Sequence, residues 1–98
     1  MSAVSDAELA DVIAGAVLGV PGVAALHAGM FGEVATYLPG RRVAGVRIRN
    51  ETVDVHVTVH GNVDVRGTAT AVREAVARIP AVTTVNVTVE DIAPAVRP

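Results

Sequence analysis

VLGVPGVAAL (17–26) and VARIPAVTTV (76–85) decide the reading of this chain. Each passes from an apolar helical pattern through a β-branched residue and proline to a small residue, a valine and a strand-like tail. Proline cannot extend a helical hydrogen-bond ladder, and the residue before it is pushed to extended geometry. Each segment is therefore a helix-to-strand corner, and the chain has two of them. The punctuation is structural and carries no catalytic group.

Working outward, the spacing predicts a first helix over residues 5–20. Ser5 and Glu8 fit a capping box, and Leu9, Val12, Ile13, Ala16, Val17 and Val20 recur on one stripe. Gly19 is the expected left-handed closing residue. Residues 23–28 can form a first strand. The second helix is predicted over 64–79, with Asp64 as N-cap and Val65, Ala69, Val72, Val76 and Ile79 facing inward. Residues 82–89 then alternate as a strand.

Between the corners lies a hairpin, VAGVRIRN (43–50) then ETVDVHVTVHG (51–61). With Asn50 and Glu51 as its loop, Ile48 faces Val53, Val46 faces Val55 and Ala44 faces Val57. The same register sets Arg47 opposite Asp54 on the other, solvent-facing side. Apolar meets apolar and opposite charges meet, so a slip of one residue would break both sets. The predicted order is α-β-β-β-α-β: an α+β fold, a two-layer α/β sandwich with both helices on one face of a mixed sheet.

Composition bounds the function. The chain has 98 residues, one domain's worth, with an ordered core expected over about 5–92. It has no cysteine, which excludes disulfides and thiolate chemistry. Its net charge of -2 argues against a nucleic-acid partner. Every basic residue is arginine, as in proteins from GC-rich bacterial genomes. The start of the chain is acidic, unlike a secretory signal. Residues 12–32 lack charge over a span long enough to cross a bilayer, but they contain Pro21, His27 and five glycines, so no membrane insertion is expected.

No constellation for chemistry emerges. His56 and His60 share a strand face but lie about 13 Å apart at strand rise, and His27 is on another strand. No metal site, cofactor or catalytic residue is predicted. GVPG and GMFG match the G-x-x-G string of a nucleic-acid-binding loop, yet neither carries a basic residue. Arg41, Arg42, Arg47 and Arg49 form the basic cluster, without interleaved aromatics.

Two features point to contacts. The outer face of the first helix carries Ala7, Ala14 and Leu18 around Asp11, a weakly polar surface. The segment 29–42 reads as an irregular loop holding Met30, both aromatics of the chain (Phe31 and Tyr37) and Leu38. Either it caps a core short of bulk, or it presents contact residues. Because these types are enriched at the centres of protein contacts, Phe31 and Tyr37 are expected to serve association more than folding.

Several short pieces, taken in order, resemble the alkaline shock protein 23 family of Gram-positive bacteria. They are Val20-Pro21-Gly22-Val23, Gly45-Val46, Gly61, and Val85-Asn86-Val87 with Val89, spread over about residues 5–92. Where that family has tyrosine before the strand-ending glycine, this chain has His60, and where it has glycine before the last strand's valine, this chain has Ala81. The resemblance implies a non-enzymatic cytoplasmic protein of envelope or alkaline stress. It also implies a protein that self-associates as a homo-oligomer and is held at the membrane by a small membrane-anchored partner. A small-ligand-binding or regulatory α/β domain is the alternative.

Overall fold

Ser5 opens the first helix as expected. Its hydroxyl accepts the Glu8 N–H at 3.1 Å and donates to the Glu8 carboxylate. The computed structural model describes residues 5–94 and gives the order α1 (Asp6–Leu18), β1 (Val23–Leu26), β2 (Ala35–Leu38), β3 (Arg41–Ala44), β4 (Val46–Arg49), β5 (Thr52–His60), α2 (Val65–Ala77) and β6 (Thr84–Ala93). Asp64 caps α2 through its carboxylate, which accepts the Gly67 N–H at 3.1 Å.

β5 is the hub of the main sheet. β6 runs parallel to it along its whole length, so β1 and β4, both antiparallel to β5, must lie end to end on its other edge. The register Val46↔Val55, Arg47↔Asp54 and Ile48↔Val53 is the one the two-faced pattern predicted. Asn50 takes the left-handed conformation in the hairpin loop, at φ 56°, which asparagine tolerates. The fold is the two-layer α+β sandwich on a mixed sheet. Val46, Val53, Val55, Val57 and Val59 pack beneath Leu9, Ile13, Val17, Val72 and Val76. Burying each valine or larger aliphatic side chain contributes roughly 1.5–3 kcal/mol, and this buried core contains neither aromatics nor staples.

Four expectations are corrected. The strand over 43–50 does not continue through Ala44 to face Val57. Gly45 turns left-handed at φ 83°, and Ala44 pairs instead with Ala35 in a separate hairpin, β2–β3. A side chain on Gly45 would meet Leu26 Cβ at 2.8 Å and the His56 carbonyl at 2.9 Å, so only glycine passes there. Second, residues 29–42 are not wholly irregular, since Pro39-Gly40 joins β2 to β3. Third, Val12 is exposed, and Ala10 takes its place in the core. Fourth, the left-handed residue after α1 is Gly22, at φ 97°, whereas Gly19 stays helical at φ −79°. Among the described residues no helix is long and apolar enough to cross a membrane.

Candidate functional site

Of the residues singled out for contact, Met30, Phe31 and Tyr37 fall on a turn and on the β2–β3 hairpin that follows it. In Gly29-Met30-Phe31-Gly32 the Gly32 N–H donates to the Gly29 carbonyl at 3.2 Å, so Met30 and Phe31 are the two corner residues of a turn. Gly29 and Gly32 both have positive φ, 87° and 73°. The Glu33 carboxylate accepts the Phe31 N–H at 3.0 Å and lies over Gly29, where any side chain would meet it at 2.7 Å. Val34 closes the loop by donating to the Ala28 carbonyl at 2.8 Å. The turn is thus tied down at its base while its tip projects: Met30 is 82% exposed and Phe31 87%.

Tyr37, 68% exposed, faces Arg42 across β2–β3. Arg42 Nη1 in turn passes 3.8 Å from the point where a side chain on Gly32 would begin. Arg42 thus lies between the turn and Tyr37's strand position, and no carboxylate among the described residues pairs with it. The hairpin is anchored to α1 by Arg41, whose guanidinium donates to both Asp11 oxygens at 3.1 and 2.8 Å. That hydrogen bond, with the neighbouring charge, holds the Asp11 carboxyl below its ordinary value. Thr36 adds a second tie by donating to the Val46 carbonyl at 2.7 Å. Leu18 is exposed on α1, whereas Leu38 is half-buried against the core. Leu38 thus belongs to the hairpin's packing and not to its outer surface.

The sheet face away from the helices is polar and organised around Asp54. This residue is 7% exposed, although the pattern placed the Arg47–Asp54 pair in solvent. Arg47 reaches it through Nε at 3.3 Å and Nη2 at 3.1 Å, Arg49 through Nη2 at 3.0 Å, and Asn86 donates to its other oxygen at 3.0 Å. The side chains that bond the carboxylate also cover it. Burial pushes its pKa up, but the hydrogen bonds from Asn86, Arg47 and Arg49 and the Arg47 charge outweigh that, and the group sits below its ordinary value.

Beyond Asp54 on the same face, His56 Nδ1 lies 3.1 Å from the Glu90 carboxylate. Glu90 is the extra residue of a bulge, since β5 and β6 slip from Val57↔Val89 to Thr58↔Asp91. His27 sits beside His56, its N–H donating to the His56 carbonyl at 2.9 Å. Its Nδ1 accepts the Gly29 N–H at 2.9 Å, which assigns the neutral ring's proton to Nε2. His27, Gly29, Met30, Glu90 and Asp91 line a shallow cleft of about 460 Å³. Among the described residues no group of three or more His, Cys, Asp or Glu is placed to hold a metal ion. Sequence reasoning missed this convergence because the bulge and the His27–His56 pairing leave no periodic signal.

No family model and no curated protein matches the chain. Among solved structures it is similar to the copper form of MamM CTD, with a TM-score of 0.61 and 17% identity over 93% of this chain and 97% of that one. A substituted form of MamM CTD gives a TM-score of 0.57 and 19% identity over 85% and 92%. At this level of identity the likeness is one of fold.

Proposed function

We propose that the chain is a non-enzymatic interaction module that self-associates and engages a protein partner through Met30, Phe31, Tyr37 and Arg42. The observation that carries this reading is the Met30–Phe31 turn, held by Glu33 and two left-handed glycines yet exposing its large side chains. Free energy is spent on ordering a segment that buries almost nothing of its own. Methionine, aromatics and arginine are the types that dominate contact centres. The likeness to MamM CTD, a domain by name, supports a module that works with other parts or partners. The resemblance to the alkaline shock protein 23 family supports the finer placement: a cytoplasmic protein of the envelope stress response, held at the membrane by a small membrane-anchored protein.

The test is Phe31→Ser with Tyr37→Ser, followed by denaturant midpoint and by the fraction recovered with the membrane pellet of the source cells. The expected result is a near-normal midpoint with the protein moved to the supernatant. A stability loss of about 3–5 kcal/mol, typical of truncating a buried aromatic, with pellet recovery unchanged would overturn the reading.

The cleft at His27 favours a second reading, a small-ligand or regulatory domain, and the copper in the name of one similar structure suggests the first ligand to try. One equivalent of copper bound by the purified chain and lost on His27→Ala would carry it.

A further inference from the structure

β6 is ten residues long, and nothing among the described residues pairs with its outer edge. Such an edge is a template for another strand, and proteins blunt it with lysine, proline or short length. Over residues 84–89 β6 is TVNVTV, with no charge and no proline. On the helix side Val85, Val87 and Val89 pack against the core but remain partly exposed. On the other side Thr84, Asn86 and Thr88 are exposed. The opposite edge of the sheet is different: there β1 and β4 are four residues each, and β4 is partly covered by the Thr36 contact.

We propose that the occupant of the β6 edge is a second copy of this chain, paired antiparallel about a twofold axis at Val87. This deepens the self-association in the proposed function and rests on it. The strand is self-complementary in that register. Val87 meets its own counterpart, Val85 meets Val89 on the helix side, and Asn86 meets Thr88 on the polar side. Directly opposed residues share a face, so the valines of both copies would extend one apolar layer beneath both pairs of helices.

The bulge at Glu90 and the acidic residues there select the register. With the axis at Val87 the regular ladder runs from Val85 to Val89 and ends before the bulge at Glu90. Moving the axis toward the C-terminal end carries the bulged Glu90 and then Asp91 into the ladder, and an axis at Glu90 sets like charges directly opposite, which is destabilising. An axis at Val85 sets Val87 opposite Thr83, outside β6, so the Val85–Val89 pairs are lost. A twofold contact of this kind is isologous and closes on itself, so the product is a dimer and not a fibre.

The chain's lack of cysteine makes a disulfide scan unambiguous. In Val87→Cys the two thiols would face each other, with Cβ atoms about 4.5–5.5 Å apart. In Val85→Cys alone they would be about 13 Å apart. Under mild oxidation Val87→Cys is expected to cross-link on the order of ten-fold faster than Val85→Cys, through the higher effective concentration. A mixture of Val85→Cys and Val89→Cys should cross-link where neither does alone, and this arm stands even if Val87→Cys folds poorly. Sedimentation of the unsubstituted chain should give a dimer, and so should Phe31→Ser with Tyr37→Ser.

A dimer that cross-links in neither arm overturns the β6 assignment and leaves self-association standing. A monomer at every concentration overturns both. Loss of membrane-pellet recovery in the Phe31 and Tyr37 variant with the dimer intact bears on the partner reading alone.

Discussion

Ala81 occupies in the second helix-to-strand corner the place that Gly22 occupies in the first, and both have left-handed backbone, φ 79° and φ 97°. In each corner proline precedes the left-handed residue, and the following valine donates to the carbonyl three residues back: Val23 to Val20 at 3.2 Å and Val82 to Ile79 at 3.3 Å. These are turns in which the third position wants glycine. The two copies of the corner are thus the same device, and one carries a strained residue.

Ala81→Gly should raise stability by roughly 1 kcal/mol, because a left-handed non-glycine residue costs about 1–2 kcal/mol and glycine returns part of that as chain entropy. The converse change, Gly22→Ala, should destabilise by more than this. It adds the backbone strain and sets a methyl group 2.8 Å from Thr68 Oγ1. Urea midpoints at constant m-value would check both, and opposite signs are the expected outcome.

Asp54 should contribute an acid-sensitive share of stability. Its folded pKa lies below the ordinary 3.8, so its contribution is fully present above the unfolded value and lost as pH falls through the folded one. Urea midpoints should therefore drop as pH is lowered from about 5 to below 3, and Asp54→Asn should remove part of that dependence. An equal acid drop in the variant would assign the effect to other carboxylates.

The two arginines on Asp54 should be unequal. Arg47 makes two bonds and is the more covered, so Arg47→Ala should cost roughly 1.5–3 kcal/mol, the range for hydrogen bonds to a charged group. Arg49 makes one bond from a largely exposed position, and its removal should cost about 0.2–1 kcal/mol. A double-mutant cycle with Asp54→Asn would check the order.

Glu33→Ala should uncouple presentation from composition. It leaves Met30 and Phe31 in place but removes the acceptor for the Phe31 N–H. Stability should change by less than about 0.5 kcal/mol, as for other exposed positions, while membrane-pellet recovery falls toward that of the Phe31 and Tyr37 variant. Full recovery in Glu33→Ala would mean that the side chains suffice without the ordered turn.

What could be read from the sequence follows from which forces leave a period. The register of 46–49 on 52–55 was legible because burial and charge alternate together, and both caps were legible because serine and aspartate sit where free amides begin. The split at Gly45 was not, since its cause is the close approach of Leu26 and His56 from distant segments. Pro39-Gly40 between Ala35-Thr36-Tyr37-Leu38 and Arg41-Arg42-Val43-Ala44 was a hairpin signal passed over. The burial of Asp54 depends on Asn86, thirty-two positions away. Within the candidate site, the exposure of Phe31 and Tyr37 could be posed as a question from composition, whereas the Glu33 support could not.

The meeting of three strands on β5 has a consequence for how the molecule opens. No part of the main sheet can detach without exposing β5, so its amides should exchange with solvent only through global unfolding. Among the described residues the β2–β3 hairpin pairs only with itself, and it is held by the Thr36, Gly45 and Arg41 ties and by Val43 and Leu38 at the margin of the core, so its amides can exchange through a smaller opening than those of β5. Tyr37 and Arg42 therefore sit on a segment that can adjust to a partner while the layer of valines beneath α1 and α2 stays closed.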